Sequence, residues 1–122
     1  MTLEIIIDRD QRAFTPGNPI SGRLRWSFDT IPQWIELRLF WFTEGKGTQD
    51  LSVVEKQRIT DCPMSGERPF SFIAPAHPPS CSGTLVSIRW ALELVSDVQE
   101  PVPNTTLLIG PNAEEIVLGT AT

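Results

Sequence analysis

At 122 residues, with 40% hydrophobic and 20% charged side chains, the chain has the size and make-up of one globular domain. A chain of this length buries roughly two-thirds of its extended surface, so a core can form without metal or disulfide staples. A net charge of −5, with Lys and Arg spread along the chain, speaks against nucleic acid as a partner and against docking on anionic membranes.

The first apolar run, Leu3–Ile7, is rich in β-branched residues and ends at Asp8-Arg9-Asp10, which predicts a short strand and a polar loop. The N-terminal stretch has no basic leader and its apolar run is too short for a signal peptide. No segment has the length of a transmembrane helix, so the expected compartment is the cytoplasm. A turn follows at Phe14–Asn18: Pro16 pre-sets the φ of the second turn position, and Gly17 can adopt the positive φ of a type II turn.

From Ile20 to Phe28 the pattern has period two. Ile20, Leu24, Trp26 and Phe28 share one face with Gly22 between them, while Ser21, Arg23, Arg25 and Ser27 take the other. After the break at Asp29–Pro32, the run Gln33–Thr43 places Ile35, Leu37, Leu39 and Trp41 on one side. Trp34, Glu36, Arg38, Phe40 and Phe42 fall on the other, and the Glu/Arg pair marks that set as the outer face. Glu44–Thr48 reads as a flexible hairpin loop. Gln49–Ile59 reads as a polar edge strand with Leu51, Val53 and Ile59 on one side and Ser52, Lys56 and Arg58 on the other.

Cys62–Glu67 reads as loop, and Pro69–Ala74 as a short strand burying Phe70 and Phe72. Pro75–Gly83 is a proline-stiffened crossover. Thr84–Val95 is the sixth strand, with Val86, Ile88, Trp90, Leu92 and Leu94 inward and Ser87, Arg89, Ala91 and Glu93 outward. Thr106–Ile109 and Glu115–Leu118 form a last strand broken at Gly110–Asn112. Seven short strands, with turns between them and no helical periodicity, predict an all-β, immunoglobulin-like antiparallel two-sheet sandwich. It occupies residues 1–118, and Gly119–Thr122 is a C-terminal tail.

The chemistry-bearing residues are sparse. Cys62 and Cys81 flank a predicted strand longer than a disulfide can span, so both are expected as free thiols. CxxC spacing is absent, and no structural zinc is expected. His77 sits with Ser80 and Cys81 in one crossover, too close in sequence to assemble a triad from separate elements. Asp8 and Asp10 share a loop without the further acid or Gly that a Ca²⁺ loop requires. No Gly-rich phosphate loop, HExxH or GxSxG occurs. An enzyme is not expected, and no cofactor is implied.

Two stretches resemble the arrestin-like sandwich family, which includes arrestin N-lobes, retromer's arrestin-fold subunit and bacterial sporulation-control relatives. Phe14–Leu24 is similar to the family's aromatic-x-Pro-Gly-x-x-Val/Ile-x-Gly opening. Pro69–Pro75, then Pro79-Ser80 and Gly83–Leu92, is similar to its Phe-x-Phe-x-x-Pro … Pro-Ser … Gly-x-x-x-Ser-Ile-x-Tyr-x-Leu segment, with Trp90 in the place of Tyr. The resemblance implies a non-enzymatic scaffold that binds other proteins. Eukaryotic members have two sandwiches where this chain has room for one, no Lys pair stands near the first strand, and the chain contains no Tyr.

The outer face of Gln33–Thr43 is the candidate site. Trp34, Phe40 and Phe42 lie there with Arg38, and contiguous outward aromatics commonly mark contacts. Pairing antiparallel with Thr84–Val95 in the register that opposes Arg38 to Glu93 also opposes Phe42 to Arg89, giving an ion pair and a cation–π contact. Two outcomes follow. Trp34, Arg38, Phe40, Phe42 and Arg89 form a docking face for a protein partner, a second copy of the chain included; or the same register shields the aromatics under arginine stems. A carbohydrate-binding module, with the aromatics as a stacking platform, is the alternative from another class.

Overall fold

The computed structural model describes residues 2–45, 50–83, 86–98, 105–114 and 116–117. Among them the chain forms ten strands: β1 Thr2–Ile7, β2 Ala13–Phe14, β3 Pro19–Ser27, β4 Trp34–Gly45, β5 Leu51–Thr60, β6 Ser65–Ile73, β7 Cys81–Ser82, β8 Val86–Ser96, β9 Thr105–Ile109 and β10 Ile116–Val117. Single 3-10 turns lie at Asp8–Asp10 and Pro111–Ala113. No helix among the described residues is long and apolar enough to cross a membrane.

Parity decides which side chains face the core. On β3, Ile20, Leu24 and Trp26 are buried while Arg23, Arg25 and Ser27 face water. Ile35, Leu37 and Leu39 on β4, and Trp90, Leu92 and Leu94 on β8, have no exposed surface. These residues form one cluster with Leu3, Ile7, Phe70 and Phe72, each contributing on the order of 1.5–3 kcal/mol relative to exposure. The cluster fills the space between two sheets. β3 is the centre of a three-stranded sheet between β1 and β6, and the facing sheet runs β10-β7-β8-β4-β5. β9 lies along β8 and then continues in parallel with β2. The expected two-sheet sandwich is the observed fold.

The two core tryptophans need partners for their indole N–H groups. Trp26 Nε1 donates to the Pro63 carbonyl at 3.0 Å, and Trp90 Nε1 to the Pro78 carbonyl at 2.7 Å. The turn at Thr15–Asn18 has the expected geometry. Asn18 N–H donates to the Thr15 carbonyl at 3.0 Å, and Gly17 adopts φ +90°. That turn is stitched to the end of β6, because Gly17 N–H donates to the Ala74 carbonyl and Ala74 N–H to the Asn18 carbonyl, both at 2.8 Å. The two stretches of the family resemblance are therefore neighbours, with Ile20 opposite Phe72 and Gly22 opposite Phe70.

Several boundaries differ from expectation. β6 starts at Ser65 rather than Pro69, because Ser65–Arg68 pair with Leu24–Ser27 of β3 and the ladder overrides the local turn chemistry. β2, β7 and β10 are two-residue strands, too short to leave a period. The last predicted strand is divided: Thr105–Ile109 runs beside β8, whereas Ile116–Val117 pairs in parallel with β7. Residues 1, 46–49, 84–85, 99–104, 115 and 118–122 lie outside the described residues, including most of the predicted hairpin loop, the start of the sixth strand and the tail.

Candidate functional site

β4 lies between β5 and β8, and its even-numbered residues point away from the core. The β4–β8 register is the expected one, with Arg38 opposite Glu93 and Phe42 opposite Arg89. This places Trp34, Arg38, Phe40, Phe42 and Arg89 on one continuous face. The face has an ionic half and an apolar half.

The ionic half centres on Glu36, which is only 2% exposed. A buried carboxylate is costly unless paired and hydrogen-bonded. Arg38 Nε donates to Glu36 Oε2 and Arg58 Nε to Oε1 at 3.1 Å, so both oxygens are held. Arg38 also reaches Glu93 at 3.7 Å, and the Arg58 guanidinium lies 4.4 Å from the centroid of the Trp34 ring. Burial by itself pushes the Glu36 carboxyl up, but the hydrogen bonds and charges of Arg38 and Arg58 outweigh it and hold the group below its ordinary value of 4.5. A carboxyl lowered on folding contributes stability above the unfolded value, and that stability is lost as pH falls through the folded value. Glu36→Gln is therefore expected to narrow the gap in urea midpoint between pH 7 and pH 3 relative to the parent chain. An unchanged gap would show that Glu36 is not ionised in the fold.

The apolar half starts where the β4–β5 register shifts. Leu39 is opposite Glu55, but Phe40 is opposite Val53, leaving Val54 as the extra residue of a β-bulge. One inserted residue reverses side-chain parity along the rest of the strand. Leu51 and Val53 thus lie on the outer face beside Phe42 and Phe40, while Ile59 remains on the inner face opposite Ile35. This corrects the expectation that Leu51, Val53 and Ile59 share a side. Leu51 is 63% exposed, whereas Phe40 is 3% exposed and packs on Phe42 with centroids 5.8 Å apart. Trp34, Arg38 and Phe42 are half-buried. Arg89 Nε donates to Glu44 Oε1 at 3.1 Å.

The residues considered for catalysis are not assembled. His77 is exposed, Ser80 is buried with Oγ accepting from Ile109 N–H at 2.9 Å, and Cys81 is buried. Cys62 and Cys81 are free thiols, and burial pushes Cys62 up. Asp8 accepts from Ser21 Oγ at 3.0 Å, whereas Asp10 pairs with Arg12 at 2.7 Å.

No protein-family model and no curated protein matches the chain. Solved structures do match. One is the crystal structure of Spo0M, a sporulation control protein from Bacillus subtilis, at 16% identity and a TM-score of 0.61. The fold is arrestin-like. The alignment covers 88% of this chain and 48% of Spo0M, so this arrestin-like sandwich spans about half the length of that protein. At that identity the likeness concerns the fold alone.

Proposed function

We propose that this chain is a non-enzymatic scaffold module that docks a protein partner on the outer face of β5, β4 and β8. The observation that carries the reading is the apolar corner made by Leu51 and Val53 against Phe42, beside the Arg38–Glu36–Arg58 ion-pair cluster on the same face. Exposed apolar side chains gathered at one place favour a partner surface over solvent. The name of Spo0M as a sporulation control protein is in keeping with a regulatory scaffold. Two buried free thiols suit a reducing, cytoplasmic setting. One face of the Trp34 ring is taken by Arg58 and Phe40 is buried, which favours protein docking over sugar stacking.

Phe40 is too buried to carry the test, because a charge there would disrupt the sheet. The informative variant is Leu51→Glu with Val53→Glu, both exposed at the sheet edge. It is expected to leave the thermal midpoint within a few degrees of the parent, and to abolish self-association in light scattering or capture of the partner. Retention of both by a folded double variant rules the face out.

A further inference from the structure

The outer face ends at an open strand edge. β5 is the end strand of the larger sheet, and among the described residues its backbone hydrogen-bonds to no strand but β4. Alternate residues of such a strand turn their N–H and C=O groups outward, where a further strand can pair with them. The neighbouring edge of the smaller sheet is built differently. There β6 carries Pro69, which has no N–H to offer, and Gln57 Nε2 donates to the Ser71 carbonyl at 2.8 Å. β5 contains no Pro, and its outer row is divided. Leu51 and Val53, 63% and 44% exposed, stand opposite Phe42 and Phe40, whereas Lys56 and Arg58 stand opposite Arg38 and Glu36. Glu36 is taken by the two arginines, and Lys56 has no ion pair among the described residues. The one acid of β5, Glu55, falls on the inward row opposite Leu39.

We propose that β5 takes an extended acidic segment of a protein partner as an added antiparallel strand, with carboxylates opposite Arg58 and Lys56 and apolar side chains opposite Val53 and Leu51. The inference rests on the docking face and names the chemistry of its occupant. Antiparallel pairing is the more stable per residue, and in that order the segment reads acid-x-acid-x-apolar-x-apolar from its N-terminus. Val54, the extra residue of the bulge, is left unopposed. Backbone bonds supply the pairing, and alternate side chains select the sequence. A second copy is the poorer occupant, because its β5 brings Lys56 and Arg58 again with no outward acid and leaves Lys56 unneutralised. The bulge and the lysine are devices that keep an exposed edge from pairing indiscriminately, so the edge is selective.

The test titrates the ¹⁵N-labelled chain with the acetylated, amidated heptapeptide ETETVTL or its cationic counterpart KTKTVTL, following the backbone amide resonances. ETETVTL is expected to shift the β5 amides saturably and slow their hydrogen exchange, and KTKTVTL to bind about tenfold more weakly or less. Lys56→Glu, at an exposed position, is expected to weaken ETETVTL about fivefold and to strengthen KTKTVTL. Only one row of amides in an added strand bonds to the edge. N-methylation of one alternate set of peptide amides is therefore expected to abolish binding, and of the other set to leave it. No saturable shift along β5, no preference between the peptides, a preference unchanged in Lys56→Glu, or equal effects of the two N-methylated sets overturns the proposal. So does concentration-dependent protection of β5 amides without peptide, which assigns the edge to a second copy. In each of these cases, loss of partner capture by Leu51→Glu with Val53→Glu still upholds the docking face, so the two readings fail separately.

Discussion

Trp90→Ala is expected to lower the free energy of unfolding by about 3–5 kcal/mol, read as a fall in the urea midpoint with an unchanged slope. Trp90 has no exposed surface and sits on β8 between Trp41 of β4 and Leu107 of β9. Removing the indole empties the centre of the larger sheet's inner face, where neighbouring strands cannot close the void without losing their ladders. Domains of this kind are stable by only about 5–15 kcal/mol, so the loss is a large share of the total. Trp90→Phe separates two contributions. It keeps most of the buried area but forfeits the 2.7 Å bond to the Pro78 carbonyl, for an expected loss of about 1–3 kcal/mol. A loss under about 1 kcal/mol for the alanine variant would show that the core is not centred on β8.

Gly22→Ala is expected to be nearly as damaging, although it adds a single methyl group. Gly22 is opposite Ile7 where β1 crosses onto β3, and a Cβ there would meet the Ile6 carbonyl oxygen and come 2.9 Å from Ile7 Cα. Overpacking costs about 1–3 kcal/mol where side chains can yield. Here the obstacle is backbone, so the expected cost lies at or above the top of that range. Hydrogen exchange gives the sharper readout: amides of Ile5–Ile7 are expected to lose protection while those of β4 and β8 keep theirs. Unaltered protection along β1 would mean that this strand does not approach Gly22 as described.

Much of the scaffold is visible in the residue pattern, because a half-buried antiparallel strand must alternate. Ile20–Phe28 sorts by parity into dry and wet sets and Gln33–Thr43 into core-facing and outward sets, and the complementary charges of Arg38 and Glu93 point to the register that also sets Phe42 opposite Arg89. The Pro16-Gly17 turn follows from backbone sterics that no distant contact overrides. Such features are encoded within a few residues of where they act.

What tertiary structure alone decided is the character of the outer face. The bulge at Val54 comes from how β5 settles against β4, and two adjacent valines carry no mark of which one is the extra residue. That shift sends Leu51 and Val53 outward and makes an apolar corner of residues that alternation had put on the same side as Ile59. Glu36 likewise looks like a solvated charge in the sequence, since Arg58, its second partner, lies 22 residues away and meets it only through the β4–β5 register. Periodicity is a property of one strand, whereas a face, a bulge or a cavity belongs to several. Only the packing of distant segments brings those into being.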